Sequence, residues 1–488
     1  MNINKITIIV LLAIAFTSCS EDFLEKTSPG NLAADNFFKT EEHAVWGTNA
    51  VYEHLRAWEV HVFSFIGMTD IISDDADKGS TVNDASFLKE IDDFTFDASN
   101  IAPATVWSGY YRGIYRANVA LENIPSIDMD ENLKARLLGE CKFLRAYFYF
   151  NLVRWFGDLP LITAPLEASE FEQQRVPASD IYALIKQDLT DAINQLPLKS
   201  KYPSQELGRA TKGAAQGLLA KVHLTLQEIG EAETLLLAVI QSEEYALMPD
   251  YQKIFTAEGE NAEESLFEVQ TAAFDQGIVG SQYNEVQGVR GTPNLGWGFN
   301  RPSDDLIAAY ELGDPRREAT VLYPGEVLPD GSDIVQDNPN IVNERYNQKA
   351  WVPEHAGGNR NGPGNIRLLR YADVLLMAAE VLNENGKPDQ ALIHLNAIRE
   401  RARGNRNGIL PPVSTTNQTE LRERIWKERR IELAMEQHRW FDLIRTGRAA
   451  NLMQGVGKAF VSGKHELFPI PQTEIDLSAG NIKQNPGY

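Results

Sequence analysis

Residues 370–403 read RYADVLLMAAEVLNENGKPDQALIHLNAIRERAR, and this stretch decides the fold. On each side of Gly386 the apolar residues recur at three- and four-residue steps, the pattern of two amphipathic helices joined by a turn. Residues 211–240, TKGAAQGLLAKVHLTLQEIGEAETLLLAVI, repeat the design.

Both hairpins match the tetratricopeptide pattern, in which small residues let one helix approach the next. The pair Ala378-Ala379, the turn Gly386, Ala391 and the larger Leu395 supply it in one hairpin. Ala220, Ala232, Leu236 and Val239 stand at matching offsets in the other. Further helical patterns occupy 41–58, 105–124, 137–156 and 179–196. Period-two alternation is scarce, so the chain is expected to be mostly α with minor β-structure and about four such helix pairs. Long irregular stretches at about 60–100, 270–305 and 323–366 are expected to be surface loops carrying function.

Outside the helices, the N-terminus carries the clearest signal. Lys5 precedes the apolar run Ile6–Phe16, and small residues Thr17-Ser18 lead to Cys19. This reads as a signal peptide over 1–18, too short to span a bilayer as a mature helix. Cys19 stands where a bacterial lipoprotein receives its lipid, and 19–31 reads as a flexible acidic tether. The rest, 32–488, reads as one globular domain with an N-terminal part over about 32–260 and a C-terminal part over about 261–488. The only other cysteine, Cys141, lies among aromatics in ECKFLRAYFYFNLVRWF and is expected to be buried, so disulfides do not staple the fold. A net charge of −22 argues against nucleic-acid binding.

Catalytic signatures are absent from the reading. None of the eight histidines forms a zinc motif, and GVGKAFVSGKH lacks the spacing and the Ser/Thr of a phosphate loop. Asp74, Asp75, Asp77 and Asp84 cluster in SDDADKGSTVND without the full spacing of a calcium loop, so a solvated acidic loop is expected there. No catalytic residue, metal or cofactor is assigned. Trp46, Trp107, Trp155, Trp426 and Trp440 fall in helical patterns and are expected in the core, whereas Trp58, Trp297 and Trp351 fall at a helix end or in loops. An exposed aromatic ring can stack on the C–H face of a sugar while Asp, Asn and Arg bind its hydroxyls.

Two C-terminal segments, LRERIWKERRIELAMEQHRWFDLIRTGRA (421–449) and LFPIPQTEIDLSAGNIKQNPGY (467–488), resemble the signatures of the SusD/RagB family. FLRAYFYFNLVRWFGDLPLI (143–162), WGFNRPSDDLIAAYELGDPRREAT (297–320) and RLLRYADVLLMAAEVL (367–382) match the same family in order. Arg429, Arg430, Glu432, Arg439 and Asp442 within them are expected to form charge pairs that lock helices together.

The resemblance implies a nutrient-binding lipoprotein of the Gram-negative outer membrane, lipid-anchored at Cys19 and exposed at the cell surface. It implies a SusD-like α-helical fold, four tetratricopeptide-like units under a loop-rich ligand face. It further implies a partner, a SusC-like TonB-dependent outer-membrane barrel, to which glycan is delivered unchanged, so the protein is not an enzyme. A peptide or glycopeptide cargo is the alternative, and a lipid-anchored glycosidase a third reading. The family's ligand contacts do not transfer by motif. Loop position and chemistry select Trp58, Asp77, Asn83, Tyr283, Asn294, Trp297 and Trp351 as candidate glycan contacts.

Overall fold

The computed structural model describes residues 37–272, 280–355 and 362–488. The signal peptide, Cys19 and tether lie outside the described residues.

Helices dominate. The first is α1 (Glu41–His54), whose first turn is capped by the Thr40 side chain accepting from the His43 N–H. Asn100 and Asp130 cap α2 (Ile101–Asn123) and α3 (Glu131–Phe156) in the same way. Next come α4 (Ala178–Gln195), α5 (Lys212–Thr225) and α6 (Ile229–Gln241). The C-terminal part adds α7 (Tyr371–Glu384), α8 (Pro388–Arg403), α9 (Gln418–Glu432) and α10 (Arg439–Arg445). Four consecutive pairs pack together: α1 with α2, α3 with α4, α5 with α6, and α7 with α8. Contacts of α2 with α3, of α4 with α5 and of α6 with α7 join these pairs into one row. The expected small residues do their work, since Ala220, Ala232, Ala378, Ala379 and Ala391 are all fully buried.

The strands are short and antiparallel. They are β1 (Ala76–Gly79), β2 (Leu159–Pro160), β3 (Arg175–Val176), β4 (Ser265–Val269), β5 (Phe299–Pro302), β6 (Val321–Leu322), β7 (Tyr346–Asn347) and β8 (Ile366–Arg370). They form two-stranded ladders, β1 with β5, β2 with β3, β4 with β8 and β6 with β7. The largest core cluster runs from Phe38 to Ile482, so both parts of the chain build one interior. Its centre is the aromatic side of α3, where Trp155 is fully buried and donates through Nε1 to the Met68 carbonyl at 3.2 Å. Cys141 is buried here too, as expected, and burial pushes its thiol up to about 12.

Three expectations need correction. Trp46 sits on a helix yet is 48 % exposed, stacked loosely on Phe37 and His43 at the outer end of the row. The stretch 60–100 is not chiefly surface loop: one-turn helices Trp58–His61 and Phe63–Ile66 lead into a buried π-helical turn, Gly67–Ile71. The acidic cluster is only partly solvated: Asp74 and Asp75 are buried, Asp77 and Asp84 are half-buried, and each aspartate has an arginine. Arg439 grips Asp74 through Nε and Nη2 at 2.7 and 2.6 Å, and Arg430 Nε reaches Asp75 at 2.6 Å. Arg301 bonds Asp77 and Arg290 bonds Asp84.

The expected locking charges are present and reach further than their own segment. Arg429 bridges Asp373 on α7 and Asp442 on α10. Glu432 accepts from Arg316, Arg370 and Arg401. Through Asp74 and Asp75 this C-terminal arginine lattice fixes the chain just before β1.

Candidate ligand-binding face

Trp58 opens its one-turn helix and Trp297 ends the segment before β5, and the fold brings the two half-buried indoles together. Their ring centroids are 6.1 Å apart with planes at 58°, an angled platform instead of a flat wall. Phe63 supports both, at 5.5 Å from Trp58 and 5.9 Å from Trp297, and is itself wedged between Phe87 and Phe299. The Trp297 N–H donates to the Glu285 carbonyl at 2.8 Å, which fixes the backbone carrying the ring. The next residue, Gly298, adopts φ of +72°, a conformation that suits glycine.

Beside the indoles runs the β1–β5 ladder, in which Asp77 faces Arg301 and Gly79 faces Phe299. Arg301 bonds Asp77 and the carbonyls of Val342 and Asn343 at 3.1 and 3.0 Å. Arg290 bonds Asp84 and the Ser80 hydroxyl, tying the 80–85 turn to the segment that bears Trp297. Lys78 Nζ donates to the carbonyls of Thr81 and Asp84 at 2.7 and 2.8 Å, holding the same turn from inside. Asn83 is exposed on that turn. Aromatic surface, an exposed amide and braced carboxylates therefore share one region; its two arginines are occupied by aspartates and its lysine by backbone carbonyls.

The other candidates lie differently. Tyr283 is 7 % exposed and its hydroxyl is 3.2 Å from Gln437 Oε1, inside the core. Gln437 continues to Asp70, whose carboxylate accepts from Gln437 Nε2 at 2.7 Å, Gln437 N at 3.1 Å and Asn300 Nδ2 at 3.0 Å. Burial pushes the Asp70 carboxyl up to about 6, against the pull of those donors. Tyr283 thus stands beneath the face, in a polar relay. Asn294 is exposed and lines a cleft of about 300 Å³ with Asn284, Leu295 and 352–355. Trp351, like Leu295, is half-buried against the cluster that holds Val289, Leu322 and Tyr346. The 288–298 segment links this second spot to the Trp58–Trp297 platform.

Sequence reasoning missed Phe63, Arg290 and Arg301. A signal existed for the arginines: both sit in the glycine-rich run that carries Trp297. Their aspartate partners lie some two hundred residues earlier, and nothing local pairs them. Among the described residues no group of three or more His, Cys, Asp or Glu side chains is placed to hold a metal ion.

A row of helix pairs carrying a loop-built aromatic face defines the class: a scaffold that presents a binding surface. The chain belongs to the SusD family. A model described as the SusD family matches residues 263–488, and one described as starch-binding, associating with the outer membrane, matches 22–224. A SusD-like protein of Formosa agariphila is 30 % identical over 99 % of this chain and 99 % of its own length. Among solved structures, a laminarin-binding SusD-like protein is 32 % identical with a TM-score of 0.78, covering 92 % of this chain and 100 % of that one. Surface glycan-binding protein A from Bacteroides fluxus is 25 % identical with a TM-score of 0.76, over 92 % of this chain and 100 % of that one.

Proposed function

We propose that this protein captures oligo- or polysaccharide at the surface of the outer membrane and passes it, chemically unchanged, to a SusC-like TonB-dependent barrel, while a lipid on Cys19 holds it to the membrane. The observation that carries the reading is the Trp58–Trp297 platform, two tilted indoles on braced backbone. Ring stacking on sugar C–H faces accounts for the aromatics, Asn83 and Asp77 offer hydroxyl partners beside them, and Asn294 offers one in the neighbouring cleft. The laminarin-binding neighbour and the starch-binding family description support a glucan as the cargo.

Calorimetric titration with laminarin and starch oligosaccharides, and with a peptide pool, tests it. At least one glycan should bind, and Trp58→Ala or Trp297→Ala should weaken that binding about tenfold or more, the loss expected for an aromatic anchor. Retention of full affinity in both variants, or binding to the peptides alone, would overturn the reading. The anchor has its own check: labelled palmitate should enter the native protein and not Cys19→Ala.

A further inference from the structure

Between α3, α5, the β4–β8 ladder and the turn leading into α10 lies a narrow crevice of about 50 Å³, away from the aromatic platform. Five phenylalanines line it, and Arg154, Lys221, His438 and the carboxylate Glu436 also reach it. Arg154 is the unusual member. Its guanidinium is sandwiched between Phe150 and Phe441, 4.0 and 3.5 Å from their centroids. Nε donates to the Phe150 carbonyl at 3.1 Å and Nη2 to Asn151 Oδ1 at 2.7 Å. Arginine has five N–H donors, so others remain. Among the described residues no carboxylate lies within ion-pair distance of it.

Every nearby carboxylate is committed elsewhere. Asp373 serves Lys221 and Arg429, Asp442 serves Arg429 and Arg445, and Glu436 serves Lys349 and Arg370. Lys221 Nζ also lies 3.1 Å from His438 Nδ1. As the ammonium can only donate, that nitrogen accepts and the imidazole proton sits on Nε2, which has no protein partner among the described residues. The crevice therefore presents surplus donors and one uncompensated positive charge. Arg154 and His438 are half-buried, and the aromatic faces attract the guanidinium without neutralising it.

We propose that this crevice binds a small monovalent anion of the halide type against Arg154, with His438 as a second donor. Burial holds the Arg154 guanidinium down at about 10, still cationic at neutral pH. The space suits the ligand: one water needs about 10–15 Å³ of such room, so a halide with a water fits and a sugar ring does not. The site's walls come from both halves of the chain, Phe65 to Lys221 on one side and Phe267 to Phe441 on the other. The ion would therefore cement the seam between the two matched family regions, independently of glycan capture.

The test unfolds the purified full-length protein thermally in sodium chloride, bromide and gluconate at equal ionic strength, and collects anomalous data from crystals grown in bromide. Binding to the folded state alone raises the midpoint with the logarithm of ion concentration. The native protein should show this for both halides, and Arg154→Met should need at least tenfold more halide for the same shift. Bromide should give an anomalous peak beside Arg154. A crevice holding only water in the bromide map, or a native protein and variant that respond alike to every salt, overturns the proposal. If Arg154→Met does not fold, the bromide map of the native protein still decides.

Discussion

Arg316 shows how single residues carry this fold. It is 1 % exposed and holds Asp314 at 2.8 Å, Glu428 at 2.6 Å and Glu432 at 3.2 Å. Removing it leaves buried carboxylates short of a cation, so Arg316→Met should cost about 3–5 kcal/mol, far more than a lost surface pair. Urea unfolding measures this. The acid response follows from the same chemistry. Burial opposes ionisation of Asp74 and Glu436, but Arg439 and Arg430 over the first, and Arg370 and Lys349 over the second, hold both carboxyls down at about 2. Unfolded, such groups titrate near ~4, so the stability they confer is present above about pH 4 and is lost as pH falls through about 2. His61 acts in a higher window: burial pushes its imidazole to about 4, so stability falls as pH drops from about 6.5 towards 4. Asp70 opposes that loss, since a carboxyl raised to about 6 stabilises the fold below pH ~4 and loses this as pH rises through 6. The urea midpoint should therefore decline gently from pH 6.5 to 4 and steeply below 4. A flat profile down to pH 2.5 would contradict the lattice.

At the scale of elements, two glycines separate close packing from turn geometry. A Cβ on Gly113 in α2 would lie 2.5 Å from Phe148 Cζ on α3, in a core with nowhere to yield. Gly113→Ala should cost about 1–3 kcal/mol as overpacking. At Gly386, between α7 and α8, nothing lies within 4 Å but φ is +71°. Gly386→Ala should cost about 1 kcal/mol, from backbone strain alone. Parallel denaturation curves give the order. This contrast also marks what the sequence discloses about the fold. The α5–α6 and α7–α8 hairpins were readable because their small residues, turn and periodicity are all local. The Trp58–Trp297 platform and the Asp74–Arg439 pair were not, since each joins residues hundreds of positions apart. The irregular stretch at about 60–100 misled for a related reason: its acidic cluster looks solvated until its distant arginines are known. Tyr283 shows the reverse, a tyrosine in an apparently loop-like stretch that the fold turns inward to Gln437.

The molecule as a whole should unfold in one step. The main core cluster takes side chains from Phe38 through Ile482, and the β1–β5 ladder pairs residues of the N-terminal part with residues of the C-terminal part. A fragment ending at residue 260 would expose the apolar face of α5 that Leu266 and Leu369 cover at Gly217, and would lack every arginine of the 316–445 lattice. It should be degraded by dilute protease under conditions where the intact protein resists, while calorimetry of the intact protein shows a single transition.

The grip of Arg439 on Asp74 spans 365 positions of sequence. A chain emerging from the ribosome therefore carries Asp74 and Asp75 without their charge partners until nine-tenths of it has been made. During that interval, sealing the early segment against solvent would strand two carboxylates. The charge lattice thus cannot close over the early segment before the helix that begins at Arg439 exists.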